Sequence, residues 1–234
     1  IAPVCRLAAS SPAVSIRMDN VQDLTVQCSA PIASVVATQW LRTDDRSYLA
    51  ADSIGTIRTT GARAVPSTGE PAWAGDFDCD VYPLGADRRG SVLGSIRVAG
   101  SMAGTLQTEA ESGRIGPIVA GATAPDWMLH APACTVTSIT TTAGDLGGSI
   151  DAAIVGAVAA RGDLKASIWA YEADAKTGLS IGRITASAIR IWLKSTSLSG
   201  MSGLGFLRFV LRIVRSALRL RHGPARATLA HHGF

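Results

Sequence analysis

The sequence predicts an all-β fold, a right-handed parallel β-helix with coils of about 20–22 residues, followed by a C-terminal amphipathic α-helix. Three observations carry the prediction. A four-residue phrase (small aliphatic, small residue, variable residue, Ile or Val) returns along the chain at near-regular spacing. Gly-rich turns separate its occurrences. After residue 205 the apolar pattern changes from the period of a strand to that of a helix.

The phrase reads Ile32-Ala33-Ser34-Val35, Ile54-Gly55-Thr56-Ile57, Leu93-Gly94-Ser95-Ile96 and Ile115-Gly116-Pro117-Ile118. It continues as Val136-Thr137-Ser138-Ile139, Val155-Gly156-Ala157-Val158 and Ile181-Gly182-Arg183-Ile184, in steps of 22, 39, 22, 21, 19 and 26 residues. The 39-residue step is expected to hold two coils of about 20. A fixed period of this size marks a solenoid, in which each unit covers the open core of its neighbour. Each phrase has the apolar and small or polar alternation of a strand. Turns such as Ala99-Gly100-Ser101 and Ala143-Gly144-Asp145 follow. Second phrases run from Gly144 to Ile150 and from Gly162 to Ile168, so a coil is expected to hold two or three short strands. Stacked coils would pair in parallel at about 4.8 Å, with aliphatics pointing into a narrow core, and parallel crossovers are right-handed. The competing all-β reading, an up-and-down antiparallel barrel, needs hairpins, and Asn-Gly or Asp-Gly hairpin signals are almost lacking. An Asp at Ile96 or Ile139 is expected to unfold the body by burying an unpaired charge.

Composition fits such a core. Hydrophobic residues make up 47% of the chain and aromatics only 5%, which suits stacked Ile, Val, Leu and Ala. The single Asn, Asn20, excludes an Asn ladder in the turns, and Gln22 removes the one possible N-glycosylation site. Charge is divided along the chain. From Ala175 onward there are ten Lys or Arg and no Asp or Glu, whereas residues 1–174 hold 12 basic and 18 acidic residues, a net of −6. Cys5, Cys28, Cys79 and Cys134 are widely spaced and form no Cys-x-x-Cys pair, which argues against zinc. Cys28 and Cys79 read as small core residues, with a disulfide between coils as the alternative in an exported protein. The chain begins at Ile1 with neither an initiator Met nor a signal-peptide pattern, so a fragment or processed product is expected. No apolar stretch is long enough for a transmembrane helix.

In chain order, residues 1–20 are Ala/Ser/Pro-rich and read as an irregular N-terminal edge. The β-helix is expected over 21–194, starting with the alternation of Leu24, Val26 and Cys28. Its longest insertion is 62–74, and shorter loops lie at Asp87–Gly90 and around Pro125. Insertions in solenoids gather on one face, which is often the binding face. A Ser/Gly linker follows at 195–205. The helix is expected over 206–221, with Arg208, Arg212, Arg215 and Arg219 on one side and Phe206, Phe209, Val210 and Ile213 on the other. Gly223-Pro224 ends it, and 222–234 reads as a disordered tail.

The stretches 53–61 (SIGTIRTTG), 93–104 (LGSIRVAGSMAG), 113–121 (GRIGPIVAG) and 138–152 (SITTTAGDLGGSIDA) resemble the Gly-rich parallel β-helix repeats of large bacterial secreted or cell-surface proteins. The resemblance runs from Ile32 to Ile189, about two thirds of the chain. It implies an extracellular or cell-surface module, structural or adhesive and non-enzymatic, needing no cofactor. Its partners would be neighbouring repeats of the same protein or a polysaccharide.

Several residues are candidates for more than architecture. Asp76, Asp78 and Asp80 alternate, so their carboxylates are expected to share one outward strand face. Such a group would hold calcium or act as acid and base on a polysaccharide; the alternative is a solvated face backed by Phe77, Cys79 and Val81. No basic residue adjoins them in sequence, although Arg88 and Arg89 could fold near. Otherwise no metal is expected. Trp73 and Trp127, in Pro-containing loops, are candidates for stacking on sugar rings; Trp40 and Trp169 are weaker ones. His130 is the only His before residue 222, and without a nucleophile-elbow motif it makes a poor Ser-His-Asp member. The Arg-striped helix is expected to cap the last coil or to lie on an anionic membrane surface. Nucleic acid is not expected as a partner, because the tail lacks aromatics placed for stacking.

Overall fold

The computed structural model describes residues 4–7, 13–44, 47–65, 67 and 72–189. These form a parallel β-solenoid of about eight turns. Every pairing between its strands is parallel, and the described residues contain no helix. The expected linker 195–205, the helix 206–221 with Arg208, Arg212, Arg215 and Arg219, and the tail 222–234 all lie outside the described residues.

Each coil passes through three faces. The first is built from β1 (Val4–Leu7), β4 (Thr25–Cys28), β7 (Tyr48–Ala51), β10 (Asp80–Pro83) and β13 (Thr105–Gln107). It continues through the start of β16 (Met128–Thr141), the start of β17 (Ser149–Ala160) and β19 (Ser167–Ala170). The second holds β2 (Val14–Arg17), β5 (Ile32–Ala37), β8 (Ile54–Thr59), β11 (Ser91–Arg97), β14 (Gly113–Ala120), the rest of β16 and β17, and β20 (Ile181–Thr185). The third holds β3 (Asn20–Gln22), β6 (Gln39–Leu41), β9 (Phe77–Asp78), β12 (Ser101–Ala103) and β15 (Ala122–Thr123). A bridge from Leu146 to Leu164 leads on to β18 (Asp163–Leu164) and β21 (Ala188–Ile189). We call these the β4, β5 and β6 faces. Because β16 and β17 run round the corner between the first two, those faces form one continuous 14-stranded sheet. Two paired strands, β1 and β2, precede Val21, so the ladder is already under way within residues 1–20.

The recurring phrase is the register of the β5 face. Val14, Ile32, Ile54, Leu93, Ile115, Val136, Val155 and Ile181 stand one above another. Ile16, Val35, Ile57, Ile96, Ile118, Ile139, Val158 and Ile184 form the next column. From Ile32 and Val35 up to Ile184 these side chains are buried. The β4 face adds Val26, Leu49, Val81, Leu106, Leu129, Ile150 and Ile168, and the β6 face adds Val21, Trp40, Phe77 and Met102. Trp40 and Phe77 meet edge to face at 5.9 Å. One narrow core results, with apolar side chains stacked on apolar side chains from coil to coil.

The 39-residue step is a single coil, which corrects the expectation of two. β8 pairs directly with β11, Ile54 opposite Leu93 and Ile57 opposite Ile96. The extra length goes into two excursions from the coil. One leaves after Gly61 and returns at Trp73, its neck closed by reciprocal backbone bonds of 2.9 and 2.8 Å between Ala62 and Trp73. The other, between β10 and β11, turns at Asp87, whose carboxylate accepts the amides of Arg89 and Ser91 at 2.8 and 2.9 Å.

Within the phrase the strand does not simply alternate. The two inward aliphatics are three residues apart, and the two residues between them both lie on the outer side, as the burial along β8 shows. The first of these is Gly at positions 55, 94, 116, 156 and 182. A Cβ at any of the five would fall on the backbone carbonyl oxygen of the residue one coil below. Glycine therefore sets how closely these coils approach. Between the β6 and β4 faces, left-handed residues turn the corner in three coils: Asp23 (φ 49°), Gly104 (φ 82°) and Gly148 (φ 89°).

Candidate functional site

The acidic triplet lies where β9 gives way to β10. Phe77, Cys79 and Val81 point into the core and are buried, so the three carboxylates point outward as the alternation requires. They do not share one flat face, however. Asp78 ends β9 on the β6 face, and Asp80 begins β10 on the β4 face. Cys79 occupies the corner between them.

Each carboxylate already has a partner. Asp76 Oδ1 accepts the backbone N–H of Ser101 at 2.7 Å, and Asp80 Oδ1 accepts that of Thr105 at 2.7 Å, both donors lying one coil above. Arg42, just after β6 in the coil below, reaches Asp78 with Nη2 at 3.0 Å and Asp80 with Nη1 at 2.9 Å. The basic partner of the triplet is thus Arg42, rather than Arg88 or Arg89. Burial pulls the Arg42 guanidinium down, but the Asp78 and Asp80 carboxylates outweigh it and leave the group above its ordinary value. Burial raises the Asp78 carboxyl above the usual carboxylate range; Arg42 opposes this, and Asp80 and Asp126 add to it. An ion pair alone would lower Asp78, so desolvation is the stronger influence there.

The same device recurs on other coils. Asp145 Oδ1 accepts the amide of Asp163 at 2.8 Å while Oδ2 holds Lys165 at 2.5 Å. Asp23 accepts the amides of Thr43 and Asp44 at 2.5 and 3.1 Å and also the Thr43 hydroxyl. The bond from Lys165 is the main influence holding Asp145 below the usual range, and that from Thr43 does the same for Asp23. In these corners a carboxylate of one coil takes up a backbone donor of the next, a donor that would otherwise lack a partner where the ladder bends. Among the described residues no three His, Cys, Asp or Glu side chains converge as a metal-ligand set.

The two tryptophan candidates part company. Trp127 is completely buried in the core and cannot present its ring to a sugar, while Trp73 sits half-buried at the neck of the 62–73 excursion. Trp40 is also core, its indole N–H donating to Ser47 Oγ at 2.8 Å. Cys28, Cys79 and Cys134 are buried free thiols.

One polar pair comes together that sequence spacing alone did not single out. His130 on β16 and Asp151 on β17 are register neighbours on the β4 face, with Nδ1 and Oδ2 2.8 Å apart. Tyr171 lies beside Asp151; its phenol is raised first by burial and then by that carboxylate. The 21-residue separation of His130 and Asp151 equals one coil, which is the signal that would have found them. No Ser, Thr or Cys side chain hydrogen-bonds to His130 among the described residues, so the pair lacks a nucleophile. Further along the face, Gln27, Ala50, Tyr82, Pro83, Leu84, Gln107 and Glu109 line a shallow depression of about 280 Å³. Tyr82 meets Tyr48 edge to face at 6.1 Å beside it.

No protein-family model, curated protein or solved structure matches the chain.

Proposed function

We propose that the chain is a non-enzymatic structural and adhesive module of an exported or cell-surface bacterial protein, a right-handed β-helix whose work is to be long, regular and stable. The observation that supports this reading is how the carboxylates are used. Asp23, Asp76, Asp80 and Asp145 bind backbone amides of an adjoining coil, and Asp78 faces Arg42. A general acid or base must be within reach of substrate and free to exchange its proton; these groups are committed to stacking. In this reading segment 206–221 serves as a terminal cap, or as a contact with an anionic membrane surface.

The test is incubation of the full chain with a panel of neutral and acidic polysaccharides, with and without calcium, followed by assay of new reducing ends. The expected result is no release and a melting temperature indifferent to calcium. Release abolished by Asp78→Ala would replace this reading with a carbohydrate-cleaving one.

A second reading, carbohydrate binding without cleavage, is favoured by the depression at Tyr82, where an aromatic ring, two amides and the Glu109 carboxylate border an open floor at Ala50. Oligosaccharide-dependent tryptophan or tyrosine fluorescence that Tyr82→Ala removes would support it.

A further inference from the structure

We propose that the outward side of the β5 face docks a linear anionic polysaccharide, which deepens the adhesive reading by naming the chemistry of its partner. The body of the chain, residues 1–174, is net acidic, yet this face is not. Its strands carry Arg17, Arg58, Arg97, Arg114 and Arg183, all exposed, and not one Asp or Glu. The strands of the other two faces carry Asp78, Asp80, Asp151 and Asp163 and, among Lys and Arg, Arg6 alone. Among the strand residues, positive charge is therefore gathered on one face by register, not by overall composition.

The centre of the patch is one column. Arg17, Val36, Arg58 and Arg97 are successive register partners, a rise of about 14 Å over three coil steps. Arg58 and Arg97 are direct neighbours, an arrangement that sets like charges side by side. No ion pair among the described residues involves Arg17, Arg58 or Arg97. An anionic group laid between two guanidinium groups would relieve the repulsion and accept charge-assisted hydrogen bonds from both. Arg114 has Asp87 nearby and is not counted in the patch.

The rest of the face selects among anions. Thr56 and Ser95, also register partners, put hydroxyls on the outer side two residues from Arg58 and Arg97 and can bond sugar hydroxyls. The face has no aromatic residue on which a nucleic-acid base could stack. It also lacks the large apolar anchors with which an interfacial element enters a membrane. A straight polymer with a charge on each sugar fits a straight row in which three of four successive coils carry an arginine.

The experiment measures binding of the full chain to polygalacturonate, neutral dextran, duplex DNA and phosphatidylserine vesicles, over a salt series. The probe expected to bind is polygalacturonate, with affinity falling as salt rises, and dextran is expected not to bind. The double variant Arg58→Gln/Arg97→Gln should weaken binding roughly tenfold or more with an unchanged melting curve. Arg17→Gln gives a milder loss and covers the case in which the double variant misfolds. Arg212→Glu/Arg215→Glu separates the basic C-terminal segment from the face. The proposal is overturned if the Arg58/Arg97 variant binds like the parent, if only the Arg212/Arg215 variant loses binding, or if DNA or vesicles outcompete polygalacturonate. Sizing the recovered polymer keeps the two claims apart. Shortened chains overturn the non-enzymatic reading, whereas intact chains that never bound overturn the docking face alone.

Discussion

Replacing Ile96 with Ala probes the core where it is most regular. Ile96 is fully buried, with Ile57 as its register partner in the coil below and Ile118 in the coil above. The change removes buried methyl and methylene groups and leaves a void between two neighbours held in place by their own ladders. Ile-to-Ala substitutions in cores cost about 2–5 kcal/mol, more where the site cannot collapse. A single-file column has few side chains able to move in, so a loss of about 4 kcal/mol is expected. Ser95→Ala, one residue earlier on the outer side, should change stability by no more than about 0.5 kcal/mol. Urea denaturation followed by circular dichroism gives the difference. Amide exchange should place the loss mainly in β8, β11 and β14, because each coil contacts only its neighbours. If Ser95→Ala were costly and Ile96→Ala harmless, the strand would be facing the other way, since a one-residue slip exchanges the two sides.

Three further outcomes are expected. Gly116→Val should destabilise by about 1–3 kcal/mol or more, because its side chain would meet the Gly94 carbonyl below; a thermal melt reads this, and a neutral result would contradict the close coil approach. Acid should weaken the fold through the carboxylates that accept backbone amides at corners and turns. Asp23, Asp87, Asp145 and Asp174 are held below the usual range, so the stability they contribute is present above an ordinary Asp value and is lost as pH falls through their lowered values. Asp78, raised by burial, acts in the opposite sense: its contribution improves as pH falls through its raised value. Melting temperature against pH should therefore fall at low pH, and the Asp145→Asn variant should show a shallower fall than the parent. Finally, burial pushes the Cys79 and Cys134 thiols up, so neither should react with iodoacetamide until the chain is unfolded, as peptide mass mapping would show.

Most of the architecture could be read from the sequence because the repeat is itself the register. Ile32, Ile54, Ile115 and Val136 were aligned by their phrase, and the structure stacks them. The 39-residue step misled for a simple reason: two excursions together have the length of a coil, and length alone does not say whether the chain has gone round or gone out. The same ambiguity hides Arg42, which meets Asp78 and Asp80 only when β6 lies directly beneath β9. Trp127 was readable. It continues inward through Leu129 and Ala131 in strict alternation, but the adjoining Pro125 and Asp126 gave the stretch the look of an exposed loop. The His130–Asp151 pair and the Arg58–Arg97 neighbours depend on which residues stack across coils, so they emerge only once the register is known.

The most direct test of the stacking is a cysteine pair at Thr56 and Ser95, outward residues that are register partners across the 39-residue step. Neighbouring strands are about 4.8 Å apart, within the Cα separation of a disulfide, about 4.4–6.8 Å. Under mild oxidation the Thr56→Cys/Ser95→Cys chain should form the cross-link in high yield, seen as a joined peptide by mass spectrometry, without loss of melting temperature. If an intervening coil separated them, the two positions would lie about 9.6 Å apart and the cross-link would not form; its absence in a folded chain would contradict the single-coil register on which the core, the corner carboxylates and the arginine face all depend.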